Sequence, residues 1–441
     1  MRRVCPSADL YPRISIKINR RYINERKEWG RGGSKSTFFR LVPRSRARQN
    51  ERYGIKMKKF FSVMLAVMML LSAVLLAGCG KTDSQTDGSK IKIGGIGPLT
   101  GGDAAYGNAV KNGAQIAIDE INAKGDVQFE FNFQDDENDA EKSINAYNTL
   151  KGWNMQILLG TVTTQPCLTV APEANSDRIF EITPSASSTE VIANRDNVFQ
   201  VCFTDPNQGA ASAKYITSHA LAQKIAIIYK NDDTYSTGIY EAFKAQAEQS
   251  GLDIVSVTTF TTDTASDFSV QINDAKKSGA DLVFLPIYYE PAALILNQAK
   301  SAGYEPVFFG VDGMDGILSL NGFDKSLAEG VILLTPFSAD STDEITKSFV
   351  DKYKSAHGEI PNQFAADGYD AVYAIYEAVK KSGVTADMSA ADMCDKLTAA
   401  MTEISVTGLT GAGAPLTWND KGEVSKDPMA VVIKDGVYVG Y

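Results

Sequence analysis

Two short segments of this chain are rich in groups that can hold a small anion. Gly160-Thr161-Val162-Thr163-Thr164-Gln165 and Thr183-Pro184-Ser185-Ala186-Ser187-Ser188 each follow an apolar run and each precede a segment read as helical. Hydroxyls and free backbone N–H groups at a helix start suit a carboxylate. Ser and Thr also serve there as ordinary N-caps, and either turn taken alone leaves both readings open. In Gly310-Val311-Asp312-Gly313 an acid stands after another apolar run, placed to pair with an ammonium group or simply to form a turn before Gly. Tyr106, Tyr235, Tyr288 and Tyr369 fall just after apolar runs or at helix starts. A rigid aromatic there gives contact area at little entropic cost, although each one singly also fits plain packing.

Other chemistry finds little support. The glycines at 94–97 lead into Pro98 and give no G-x-G-x-x-G, and no Gly-Lys-Ser/Thr phosphate loop follows any strand. No G-x-S-x-G elbow or Ser/His/Asp order appears, so an enzyme is not expected. The two histidines, His219 and His357, stand far from any nucleophile. Cys5, Cys79, Cys167, Cys202 and Cys394 show no CxxC or Cys/His spacing, so neither a metal nor a cofactor is expected. Cys167, Cys202 and Cys394 read as small buried residues rather than a disulfide set.

Charge is divided unevenly along the 441 residues. Residues 1–56 hold 16 Lys+Arg against 4 Asp+Glu, whereas the chain from Cys79 onward holds 26 against 49. A body this acidic repels nucleic acid. Residues 57–79, MKKFFSVMLAVMMLLSAVLLAGC, read as an export signal: two lysines, an apolar run, then small residues before Cys79. An uncleaved membrane anchor is the alternative. Translation is expected to start at Met57, with 1–56 a basic prefix outside the mature protein. Residues 79–89 are polar and read as a flexible tether.

The elements that must position the turns alternate strand with helix from Lys90. Strands are expected at 91–97, 127–135, 155–160 and 179–183, with helices over 106–123, 139–152, near 165–176 and from about Ser188. The pattern restarts with strands at 224–229, 253–260, 281–287, 306–310 and 330–335, and helices near 236–250, 266–278, 291–302 and 313–320. A helix over 364–382 returns to the first unit, and 430–439 closes the chain as a strand. Alternation of this kind predicts an α/β protein with two doubly wound, Rossmann-like lobes on parallel sheets. Lobe 1 is expected to take 90–206 plus 337–430, and lobe 2 to take 207–336 plus 431–441. A hinge of several crossings would join them, with the ligand in the crevice between.

Residues 90–441 resemble the Leu/Ile/Val-binding proteins of branched-chain amino-acid ABC transporters, of the type I periplasmic-binding fold. The matching stretches are IKIGGIGPLTGGDAAYG (91–107), GAQIAIDEINAKG (113–125), GTVTTQP (160–166), ITPSASS (182–188), DPNQG (205–209), GYDAVYA (368–374) and PLTWNDKGE (415–423). The resemblance implies that Thr164, Ser185 and Ser187, with Thr163 in the same turn, hold an amino acid's carboxylate. It implies that Asp312 neutralises the ammonium, that Tyr235 and Tyr288 close lobe 2 over the ligand, that Tyr106 borders the side-chain pocket and that Tyr369 supports the crevice. The family often carries Glu where Asp312 stands, and some members have a disulfide where Thr163 stands. Leu76-Ala77-Gly78-Cys79 resembles a lipobox, which implies cleavage before a lipidated Cys79 and attachment to the outer face of the cell membrane. The expected partners are an amino acid and the permease subunits of an ABC importer, and a monomer is expected. A sensor of the same fold, signalling to a partner receptor, is the second reading.

Overall fold

A computed structural model of the chain describes residues 90–441. The expected signal, tether and lipidated Cys79 lie outside the described residues. Strands β1 (Ile91–Gly97), β2 (Phe129–Asp135), β3 (Ile157–Leu159), β4 (Phe180–Thr183) and β5 (Val198–Gln200) form one parallel sheet in the order β2-β1-β3-β4-β5. The second sheet holds β6 (Lys224–Lys230), β7 (Asp253–Phe260), β8 (Leu282–Leu285), β9 (Val307–Gly310), β10 (Ile332–Thr335), β11 (Met429–Lys434) and β12 (Val437–Gly440). Its order is β12-β11-β10-β9-β8-β6-β7, parallel from β7 to β10 and antiparallel beyond. The parallel parts of the two sheets therefore repeat one winding order, in which the first strand of each lobe sits between its second and third. The final hairpin, where one strand was expected, extends the second sheet.

These strands form because their residues are apolar and β-branched. Ile93, Ile157, Leu158 and Leu159 are fully buried, as strands covered on both faces require. Helices α1 (Ala104–Lys124), α2 (Ala140–Gly152) and α3 (Thr164–Asp177) cover the first sheet. Helices α4 (Asp205–Ser218), α5 (Thr234–Ser250), α6 (Ser269–Ser278) and α7 (Tyr289–Ser301) cover the second. Three further helices, α8 (Glu344–His357), α9 (Gln363–Ser382) and α10 (Ala390–Met401), return to the first lobe. Gly113 and Gly368 let α1 and α9 approach closely. A Cβ on Gly113 would stand 1.9 Å from the Ala365 carbonyl oxygen, and one on Gly368 would stand 2.5 Å from that of Val110.

Two expected helices are absent. Residues 189–194 form turns and 313–320 form short 3₁₀ turns. Asp315 and Gly316 break the apolar spacing of the latter segment, and Gly316 sits at φ 116, where a side chain would be strained. Helices α8 and α10 and strand β5 were not anticipated. The last is only three residues long, too short for periodicity to show.

The chain passes between the lobes three times: after β5, after β10 and just before β11. The third passage carries Lys426, whose Nζ lies 2.9 Å from Asp367 Oδ1 on α9, both side chains at most 2% exposed. Among the described residues no helix is long and apolar enough to cross a membrane.

Candidate functional site

Doubly wound sheets present ligands beyond the carboxyl ends of their strands, at the point where winding reverses. Both sheets point that end at the same crevice. The segment after β1 brings Tyr106, β3 leads to Thr163, and β4 leads to Ser185. From the other lobe β6 leads to Tyr235, β8 to Tyr288 and β9 to Asp312. Together with Val162, Gly313 and Phe364 these residues line one cavity. In this closed arrangement its volume is about 10 Å³, room for little more than one water. A larger ligand enters only when the lobes part.

On the first wall, Thr163 is the N-cap of α3, and Thr164 opens the helix. The Thr163 hydroxyl donates to Asn138 Oδ1 at 2.7 Å rather than capping its own helix. Thr164 is 1% exposed and its Oγ1 has no hydrogen-bond partner, which is costly unless a ligand or water meets it. Ser185 lines the cavity while its hydroxyl donates to the Val162 carbonyl oxygen at 2.5 Å, tying the two turns together. The turn at 183–188 opens no helix, so of the two hydroxyl-rich turns that at 160–165 alone leads into a helix N-terminus.

Ser187 is fully buried and lies behind the cavity wall. Its hydroxyl donates to Asp205 Oδ1 at 2.6 Å, which consumes its proton and leaves it an acceptor toward anything else. Asp205, at the start of α4, is 2% exposed and its Oδ2 has no partner. Burial pushes its carboxyl well above the usual range, helped by the nearby Asp312 and Asp233.

On the second wall, Asp312 heads a 3₁₀ turn and is 4% exposed. Tyr235 Oη donates to Asp312 Oδ1 at 2.6 Å and accepts from the Gly313 N–H at 2.9 Å. Gln208 accepts from the Asp312 N–H, and Gln363 donates to its carbonyl oxygen, so side chains from α4 and α9 fix the turn. Burial raises the Asp312 carboxyl to about 6, against the lowering pull of the Tyr235 and Gln208 hydrogen bonds. Gly313 must be glycine here, because a Cβ would stand 2.5 Å from Tyr235 Oη and 2.9 Å from the Tyr288 ring. Tyr288 packs 4.9 Å from Tyr235 and 5.3 Å from Tyr106, ring centre to ring centre.

Tyr369 is not brought to this cavity. Its hydroxyl donates to Glu120 Oε2 at 2.8 Å, and its ring packs on Phe349 and Tyr373 where α9 meets α1 and α8. Val162, Gly313 and Phe364 line the cavity without having been singled out. Gly313 follows the acid directly, and Phe364 stands one residue inside the last long helix, so both were within reach of a closer reading. Among the described residues no Lys or Arg lines the cavity, while Asp103 and Asp136, raised by burial to about 6 and about 7, both accept from Asn138, the partner of Thr163. Such a site attracts a positive group and binds a carboxylate only through neutral donors. Among the described residues no group of three or more His, Cys, Asp and Glu is placed to hold a metal ion. Cys167, Cys202 and Cys394 are buried thiols.

Residues 90–436 match the family model described as periplasmic binding protein. The chain belongs to that family. The family is one of substrate-binding proteins and not of enzymes. A relative from Brucella melitensis, Leu/Ile/Val-binding protein homolog 3, is 28% identical over 307 residues, covering 68% of this chain and 81% of the relative. A branched-chain amino acid transporter substrate-binding protein from Streptococcus pneumoniae, solved in complex with isoleucine, superposes with TM-score 0.71 at 25% identity. That match covers 79% of this chain and 97% of the other. A solute-binding protein from R. palustris in complex with benzoate gives the same TM-score, 0.71, at 20% identity, covering 80% of this chain and 95% of that one, and shares the fold alone. The two-lobed α/β architecture is thus that of the type I periplasmic binding proteins.

Proposed function

We propose that this periplasmic binding protein captures an amino acid with a branched aliphatic side chain between its lobes and delivers it to an ABC importer. The observation that carries this reading is the pairing of opposite walls. Buried Asp312 stands on one, and Ser185 and Thr163, the N-cap of α3, stand on the other, with the unpartnered Thr164 hydroxyl just behind Thr163. A zwitterion satisfies both at once. It does so only when the lobes are closed, so the ligand favours closure by its differential contacts. The aromatic lining from Tyr106, Tyr288 and Phe364 suits an apolar side chain, and the Brucella and Streptococcus relatives bear names of that ligand class. A benzoate, by contrast, brings a negative charge and no ammonium to a crevice that already holds Asp312.

Cleavage before Cys79 and lipidation of its sulfur would hold the protein at the outer face of the cell membrane, beside the importer. Asp312 and the Tyr235, Tyr288 and Tyr106 rings form the clamp, with Ser185, Thr163 and Thr164 opposite and Ser187 acting from behind through Asp205. The test is a thermal-shift screen of the twenty amino acids and benzoate. Binding to the folded state alone raises the melting temperature by mass action. L-Leucine, L-isoleucine or L-valine should give the largest rise; a shift with benzoate and none with any amino acid would sink the clamp.

A further inference from the structure

A chain of hydrogen bonds joins the lobes on the far side of Tyr106 from the ligand cavity. Tyr289, the first residue of α7, lies next to the cavity residue Tyr288 but does not line the cavity. Its hydroxyl donates to the Gly102 carbonyl oxygen at 2.5 Å and accepts from the Ala105 N–H at 3.3 Å, both in the loop and first turn of α1 on the opposite lobe. Its backbone N–H donates to Tyr106 Oη at 3.2 Å. The Tyr106 hydroxyl in turn donates to the Gly313 carbonyl oxygen, beside Asp312. The two rings meet edge to face, 4.9 Å between centres, and Tyr289 is 2% exposed. Every one of these bonds crosses between lobes, so every one is broken by opening.

We propose that Tyr289 is a positioning residue for ligand capture, a latch that favours the closed state and holds Tyr106 in the cavity wall without touching the ligand. Its groups are neutral: burial raises the Tyr289 hydroxyl to about 12, so it keeps its proton at any physiological pH. The latch therefore acts independently of the Asp312 charge. A ligand that must first open the lobes also inherits the latch on reclosure, which places its effect on dissociation rather than on encounter.

The proposal rests on the inter-lobe clamp, and its test separates the two. Tyr289→Phe keeps the ring and removes only the hydroxyl bonds. In the full-length chain with L-isoleucine as probe, Kd should rise about fivefold, the weight of one net hydrogen bond, with the change in koff. In the ligand-free protein, amide hydrogen exchange should quicken in peptides covering Ala105 and Tyr289 while the core strand 224–230 stays protected. Kd within twofold of wild type with unchanged exchange would overturn the latch. So would exchange quickened throughout lobe 2, which would make Tyr289 a packing residue. If L-isoleucine fails to bind the wild type, the branched-chain reading falls, and the exchange measurement still decides the latch.

Discussion

Asp312 stands to gain or lose most from a ligand. It is almost wholly buried, and Tyr235 holds only one of its oxygens. Asp312→Ala removes the one carboxylate on that wall of the cavity and strands the ligand's ammonium, which should cost about 3–5 kcal/mol of binding. Calorimetry with the best amino acid of the screen measures this, and a loss below tenfold removes Asp312 from the site. The sign of the pH dependence follows from the same burial. With its carboxyl raised to about 6, Asp312 is ionised at pH 7.5 and largely protonated at pH 5. A bound ammonium needs the ionised form, so Kd should rise as pH falls through 6, approaching tenfold per unit. Asp312→Asn should flatten that slope. A slope that survives in Asp312→Asn would assign it to Asp103 or Asp136 instead. Ser187 and Tyr369 show where residue-level reading stops. Both were placed in the crevice by resemblance, yet Ser187 spends its proton on Asp205 and Tyr369 binds Glu120. Sequence locates such residues at strand ends and helix starts; which way a hydroxyl turns depends on acceptors more than a dozen residues away.

At the scale of elements, the strands with clear alternation or unbroken apolar runs were legible to within a few residues. Val198–Gln200 was hidden by its length, and 313–320 was misread because apolar residues at helical spacing outvoted the glycines among them. Strand β4 carries the least expected choice. Glu181 is fully buried in the middle of a parallel sheet, its Oε1 accepting from Cys167 Sγ at 3.3 Å and its Oε2 without a partner. Burial raises this carboxyl from 4.5 to about 8. A folded-state pKa above the unfolded one means that the neutral acid favours folding. That contribution is complete below about 4.5 and is lost as pH rises to 8. Wild-type stability should therefore fall between pH 5 and 8 by up to about 1.4 kcal/mol per unit from this residue. Glu181→Gln, neutral throughout, should melt higher than wild type at pH 8, with the gap closing toward pH 5. Parallel melting curves across that range would mean that Glu181 is ionised in the fold after all.

At the scale of the whole molecule, two sheets of the same winding order face one crevice, and three passages of chain join them. The sequence pattern made the doubled α/β plan visible, and the expected lobe bounds already place a third passage near 430. What the sequence left unread is the segment leading to it, because residues 402–428 show no period and carry only isolated bridges, Val406 to Leu416 and Trp418 to Val424. That passage is fixed by Lys426. Its ammonium is buried against Asp367 on α9, and its carbonyl oxygen accepts from Asn207 Nδ2 at the start of α4, so it touches an element of each lobe. Removing one member of a buried pair is costlier than replacing both with apolar groups, because the survivor is left charged and dry. Lys426→Ala should thus destabilise by about 3–5 kcal/mol at pH 8. The cost should shrink toward pH 6, because burial has already raised Asp367 to about 7 even with Lys426 pulling it down, and a stranded carboxyl escapes by taking a proton. Lys426→Met combined with Asp367→Asn leaves no charge to strand and should recover most of the loss. Thermal melts of the single and double variants at both pH values read this directly. A deficit in Lys426→Ala that is equal at pH 6 and pH 8 would show that packing of the lysine stem, and not its charge, holds the third passage in place.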